Sequence, residues 1–189
     1  MSKAAGRRAP ANEVRIIGGR HRGRVIRFPA VGDLRPTPDR VRETLFNWLG
    51  QDLTARRCLD LFAGSGALGF EAASRGAQRV VMVERDAAAF RALHASRDRL
   101  EAGAVELVRE DALGFLRRDT GVYDVVFVDP PFTGGYWPLI APLIAPRLAP
   151  QAMVYHESGG RPEAPPDWTV HRQDRAGQVT YQLLMHTPS

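Results

Sequence analysis

Cysteine is nearly absent, with Cys58 the only one in 189 residues. An internal disulfide framework is therefore excluded. Cys58 lies in an apolar run and reads as an inert core thiol. Lysine is nearly absent too, since Lys3 stands against 25 arginines. A preference for arginine at any one site thus carries little meaning. No apolar stretch is long enough to span a bilayer. The basic N-terminus lacks the apolar segment of a secretory signal, so a cytoplasmic protein is expected. The 5 histidines are scattered without ligand spacing, and no metal site is expected. No internal repeat is present.

What is there suits one domain with a small appendage and a proper core. The net charge is +5 and unevenly placed. Residues 1–50 hold 11 Lys/Arg against 4 Asp/Glu, a net +7, whereas the remainder holds 15 against 17, a net −2. A basic arm on a near-neutral body fits a polyanionic partner. Residues 1–12 read as a disordered basic tail. Residues 13–35 read as a hairpin extension, with strand-like runs at Val14–Gly18 and Arg24–Phe28 joined by a Gly-Arg-His-Arg loop. Arg20, Arg22, Arg24 and Arg27 crowd this unit and suit phosphate contact. His21 reads as incidental. Residues 36–189 read as the main domain.

A helix follows Leu34-Arg-Pro-Thr-Pro38, with Thr37 as N-cap and Pro38 in the first helical position. Val41, Leu45, Trp48 and Leu49 form its apolar stripe, and Gly50 ends it. Arg35, Thr37, Arg40 and Arg42 cluster where the basic arm meets the body.

Beyond this point strands and helices alternate. Arg57-Cys-Leu-Asp60 runs into a glycine turn, and a helix follows to about Arg75, closed by Gly76. Val80–Val83 ends at Glu84. Residues from Asp86 to about Leu100 are helical. Val105–Val108 leads to Asp111, and Val125–Val128 leads to Asp129. A helix near 136–148, a strand at Ala152–His156 and a terminal pair, 168–171 and 178–185, complete the chain. The two strands of that pair are joined by a short link and must be antiparallel. The alternation specifies an α/β fold with a mostly parallel sheet covered on both faces. Ligands bind such sheets at the carboxyl ends of the strands, and Asp60, Glu84, Asp111 and Asp129 all fall there.

Val126-Phe-Val-Asp-Pro-Pro-Phe132 carries the most chemistry. Pro130 and Pro131 have no N–H, so the strand end offers carbonyl oxygens without donors. Asp129 adds a carboxylate and Phe132 a flat apolar face. Clustered acceptors beside an aromatic plate suit an exocyclic amine on a planar base. Gly64-Ser-Gly-Ala-Leu-Gly69 matches G-x-G-x-x-G, and Glu84 lies 20 residues after Gly64. A nicotinamide-dependent oxidoreductase is one reading of that match. Asp60, just before the turn, would be unwelcome beside a pyrophosphate. It is compatible with a cationic methyl donor that carries no phosphate.

The chain resembles the RsmD family, the bacterial 16S rRNA (guanine-N2)-methyltransferases, from about Val14 to Leu184. The resemblance is dense in 34–49, 59–69, Val126–Phe132 and Ala176–Tyr181, and the Arg-Pro-Thr-x-Asp-Arg-Val-Arg-Glu stretch is its most specific part. It implies a Rossmann-like, S-adenosylmethionine-dependent methyltransferase with a seven-stranded sheet whose last strand is antiparallel. It implies S-adenosylmethionine held by Asp60, Phe62, Gly64, Ser65, Gly66, Glu84, Asp111 and Ala112. It implies methyl transfer at Asp129, Pro130 and Phe132, and RNA contact through the N-terminal extension, with Arg20, Arg22, Arg24, Arg35, Thr37 and Arg40 as candidates. The implied partner is 16S rRNA in the small ribosomal subunit, with ribosomal proteins bound. A monomer without membrane association is expected. A DNA adenine-N6 methyltransferase, which uses a similar tetrapeptide, is the other reading.

Overall fold

A computed structural model describes residues 11–30, 36–131, 135–159 and 166–187. Arg35, Phe132 and residues 1–10 of the tail lie outside the described residues. The first two strands, β1 (Ala11–Arg15) and β2 (Val25–Pro29), pair antiparallel with Val14 opposite Ile26. β1 begins upstream of the sequence estimate and takes in Ala11 and Asn12, which the sequence places in the tail. Alternation sends Val14, Ile16, Ile26 and Phe28 inward, where they join the core of the body. The hairpin is therefore docked on the body.

Helix α1 (Asp39–Trp48) has Pro38, not Thr37, at its N-cap, one residue later than expected. Pro38 lacks a capping side chain, and the Thr37 hydroxyl is engaged elsewhere. Next come β3 (Arg57–Asp60), α2 (Ala67–Ser74), β4 (Arg79–Val83), α3 (Ala87–Leu100) and β5 (Val105–Val108). Then follow α4 (Ala112–Arg118), β6 (Tyr123–Val128), α5 (Trp137–Ile144), β7 (Leu148–Ser158), β8 (Trp168–Ala176) and β9 (Val179–His186). The sequence reading omits α4. It is only seven residues long, but its N-cap was there to read, since Asp111 accepts from Leu113 N and Gly114 N at 3.1 and 3.2 Å.

The seven strands run β5-β4-β3-β6-β7-β9-β8. β3 pairs parallel with both β4 and β6, and β7 pairs parallel with β6. β9, the last strand, is antiparallel to both β7 and β8. The terminal pair is as expected, with β8 at the sheet edge.

Side chains alternate across the sheet. Cys58, Val80, Val125 and Phe127 face one apolar layer with α1, α2, α3 and the hairpin, while Leu59, Val81, Val126 and Val128 face the other with α4 and α5. Burial raises the Cys58 thiol pKa to about 12, so it is inert at neutral pH. From β3 the chain runs outward through β4 to β5 on one side, then crosses back through α4 to β6 on the other. That reversal opens a crevice beyond the strand ends.

Candidate active site

The crevice holds a cavity of about 780 Å³. Its floor is the turn after β3. Asp60 ends that strand, buried, and its Oδ2 accepts from Gly69 N at 3.0 Å. Gly64 lines the cavity, and its N–H donates to Glu84 Oε2 at 2.8 Å. Gly66 starts α2 with φ +84°, and a Cβ there would lie 2.6–2.7 Å from the Phe70 and Leu93 side chains. Gly66 thus serves the turn and the packing beneath it and does not line the cavity. Gly69 packs α2 against Met82 of β4.

The walls are the acids foreseen at strand ends. Glu84 follows β4, and its Oε1 accepts from Asp86 N at 2.7 Å. Asp111 follows β5, and both of its capping bonds fall on Oδ2. Phe62, Ser65 and Ala112 line the same space. Phe62 meets Tyr136 edge-on at 5.4 Å, an aromatic corner that the sequence reading misses.

Asp129 follows β6 on the opposite side, with Pro130 buried beside it. The Thr37 hydroxyl points at Asp129 Oδ2 from 3.4 Å. Thr37 therefore lies at this carboxyl, buried in the cavity wall, rather than on the outer basic surface. A second carboxyl stands next to Asp129. Val128 pairs with His156 across β6 and β7, so the residues that follow, Asp129 and Glu157, emerge side by side. Glu157 is buried, lines the cavity and accepts from the Tyr155 hydroxyl at 2.5 Å. The sequence reading misses Glu157, although an acid after an apolar strand was the pattern already used for Glu84, Asp111 and Asp129.

Burial makes Asp60, Asp129 and Glu157 hard to ionise. Asp60 rises from the ordinary 3.8 to about 7, chiefly through desolvation, with the Glu84 charge adding. Asp129 is raised by desolvation, then by the charges of Glu157 and Asp60. Glu157 is also raised by desolvation, against the Tyr155 hydrogen bond that favours its charged form.

The arginines divide by role. Arg20 Nη2 donates to Glu101 O at 3.2 Å and Arg24 Nη2 to Arg99 O at 2.7 Å, so both tie the hairpin to the end of α3. Arg22 and Arg40 are exposed. His21 is buried in the docking seam, where its N–H donates to Ser74 Oγ at 2.9 Å and its Nε2 accepts from Arg20 Nε at 2.8 Å. Arg42, grouped with the basic cluster by sequence, is fully buried against Glu71 of α2 at 3.2 Å. Glu71 also accepts from Ile17 N at 2.9 Å, Gly18 N at 2.8 Å and Arg75 Nε at 2.9 Å. No cluster of potential metal ligands occurs among the described residues. Among them, too, no helix is long and apolar enough to cross a membrane.

Comparison with known proteins gives a consistent result. The family model described as "Conserved hypothetical protein 95" matches residues 14–185. "Ribosomal RNA small subunit methyltransferase D" of Escherichia coli is 44% identical over 178 residues, covering 92% of this chain and 90% of that protein. The protein of the same name in Haemophilus influenzae is 39% identical over 182 residues, covering 92% and 94%. The solved "Putative methyltransferase yhhF from Escherichia coli" superposes with a TM-score of 0.84 at 43% identity, covering 94% of this chain and 100% of that one.

Proposed function

The chain belongs to the conserved hypothetical protein 95 family, the RsmD family, and from that premise we propose that it transfers the methyl group of S-adenosylmethionine to the N2 amine of a guanine in 16S rRNA. The observation that carries this reading is one cavity with two chemically distinct sides. One side is the glycine turn with Asp60, Glu84 and Asp111. The other is Asp129 with Pro130, a carboxyl and a carbonyl of the kind an amine donates to.

The first side fits the methyl donor. Asp111 has both capping bonds on Oδ2, which leaves Oδ1 for an adenine amino group. Glu84 accepts one N–H on each oxygen, and a carboxylate has lone pairs to spare for ribose hydroxyls. Asp60 suits the cationic methionine end. Gly64 allows close approach of the ligand. A dinucleotide fits poorly, because the Gly64 amide that would greet a phosphate is already bound by the Glu84 carboxylate.

When bound, S-adenosylmethionine supplies an electrophilic methyl on a cationic sulfur. The chain's own part is to present the amine. The N2 lone pair is delocalised into the purine, so the amine is a weak nucleophile. Hydrogen bonds from its two N–H groups to Asp129 and the Pro130 carbonyl favour a pyramidal nitrogen and aim its lone pair. Catalysis is then mainly positioning and electrostatics, without a covalent enzyme intermediate. Phe132 is assigned to stacking on the extruded base. Arg40, which follows the Pro36–Pro38 wall of the cavity, and Arg22, with Arg20 and Arg24 on the hairpin, are assigned to backbone phosphates of RNA in the cytoplasmic small subunit.

The test is methyl transfer from labelled S-adenosylmethionine to unmethylated small ribosomal subunits, free 16S rRNA and duplex DNA, followed by nucleoside analysis. N2-methylguanosine from subunits or rRNA is expected. N6-methyladenine in DNA would overturn the substrate, and no label in any arm would overturn the activity.

A further inference from the structure

We propose that Glu157 is a positioning residue for methyl transfer, holding a single proton jointly with Asp129 so that the carboxyl pair, and not Asp129 alone, receives the proton the amine gives up. The proposal rests on the function proposed above.

Three observations support it. Register brings the two residues to the ends of adjacent parallel strands, Asp129 after Val128 and Glu157 after His156. The two carboxyls bear on each other, and the Glu157 charge helps to raise Asp129. Both line the cavity, yet Glu157 is too deeply buried to be a surface acid.

Asp60 faces the pair from β3 and contributes like charge. Tyr155, from β7, donates to Glu157 at 2.5 Å, and Tyr181, from β9, packs its ring 6.4 Å from that of Tyr155. The Thr37 hydroxyl approaches Asp129 from the segment before α1. No Lys or Arg side chain is hydrogen-bonded to either carboxyl among the described residues. Two full negative charges side by side with no cation between them would be costly, and one shared proton removes half the charge.

The charge balance of the reaction then closes within the site. Before transfer the sulfonium is +1 and the singly protonated pair −1. The nitrogen–carbon bond forms, the carbon–sulfur bond breaks, and the bonding electrons stay on sulfur. The amine proton passes to Asp129, leaving a neutral sulfide, a neutral methylated base and a doubly protonated pair. No net charge appears or vanishes in a low-dielectric cavity. After product leaves, the pair returns one proton to solvent.

Glu157→Gln is the deciding variant. Glutamine keeps the shape, the acceptor for Tyr155 and a donor toward Asp129, and so mimics the pair with its shared proton fixed in place. Single-turnover rates on small subunits are measured against pH for wild type, Glu157→Gln and Asp129→Asn. Wild type is expected to lose rate at high pH, as the shared proton departs. Glu157→Gln should lose that alkaline decline, because its amide proton cannot depart, whereas Asp129→Asn should be inactive. An unchanged pH profile in Glu157→Gln would overturn the proposal. Carboxyl carbon NMR titration of the same proteins needs no substrate. Two linked steps in wild type that become one in either variant support proton sharing, and independent titration of both groups near ordinary carboxyl values overturns it. If wild type methylates nothing, the proposed function fails, and the NMR titration still decides whether the proton is shared.

Discussion

Removing the Glu71 carboxylate should release the N-terminal hairpin and destabilise the whole chain. Glu71 is fully buried, as is Arg42, and Arg75 nearly so. Its two oxygens accept from two guanidinium groups and from the backbone N–H groups of Ile17 and Gly18. Glu71→Ala leaves Arg42 with Thr37 O, Arg15 O and Asp39 for partners, but without the buried countercharge. Breaking one side of a buried ion pair costs about 3–5 kcal/mol. Each orphaned buried N–H adds about 1–3 kcal/mol, offset in part by water entering the space. A net loss of about 4 kcal/mol is expected, which for a chain of this size lowers Tm by roughly 8–16 °C. Urea unfolding followed by tryptophan fluorescence measures the total. Amide exchange at Ile17 and Gly18 measures the local part, and both amides should exchange well before the sheet does. A loss below about 1 kcal/mol, or exchange at Ile17 and Gly18 no faster than in wild type, would refute the view that Glu71 pins the hairpin.

Four further outcomes are expected. Asp129→Ala should cut turnover by about a hundredfold or more while S-adenosylhomocysteine affinity, read by calorimetry, stays within about twofold; equal loss of both would dissolve the two-sided view of the cavity. Asp60 is raised in the fold from 3.8 to about 7, so the folded chain holds that proton more tightly than the unfolded one. Its contribution is fully present below pH 3.8 and is lost as pH rises toward 7, a difference of about 4 kcal/mol. Asp60→Asn should flatten the decline in urea midpoint between pH 4 and pH 7, and an identical slope would refute the assignment. Gly66 and Gly23 share φ +84°, but a Cβ is crowded at Gly66 and meets open space at Gly23. Gly23→Ala should therefore cost about 1 kcal/mol and Gly66→Ala about 2–4 kcal/mol by thermal unfolding, and equal costs would deny the crowding. Arg22→Ala should reduce the salt slope of rRNA binding by about one without altering Tm, whereas Arg24→Ala, which releases Arg99 O, should also lower Tm.

Much of the fold was legible because it rests on strong local signals. Apolar β-branched runs ending in an acid mark β4 and β6, and Asp86 caps α3 where the helix was expected, accepting from Ala88 N and Ala89 N at 2.8 Å. Misplaced boundaries arise where tertiary contact overrides local preference. Thr37 is a good N-cap residue by type, but its hydroxyl is drawn to Asp129 and the helix starts one residue later. In the candidate site, the acids of the parallel strands were legible from position alone. Glu157 fits the same pattern and was overlooked, and only the register of β6 against β7 shows that it stands beside Asp129. Arg20 and Arg24 look like free cations in sequence, and only the fold brings the carbonyls of Arg99 and Glu101 within their reach. The three glycines look alike in the motif, and only packing separates Gly64, at the cavity, from Gly66 and Gly69, against the core.

The outermost strand has a consequence for solubility. β8 is nine residues long and carries one open row of backbone donors and acceptors, a template on which another chain could grow. Its register against β9 slips between Val170 and Arg172, so the row is broken near its middle. From Thr169 to Arg175 every residue is exposed, with Arg172, Asp174 and Arg175 among them. An incoming strand would meet a kink and would have to strip water from charges of both signs. Edge-to-edge growth into fibres is thus opposed at this border by the same residues that finish the sheet.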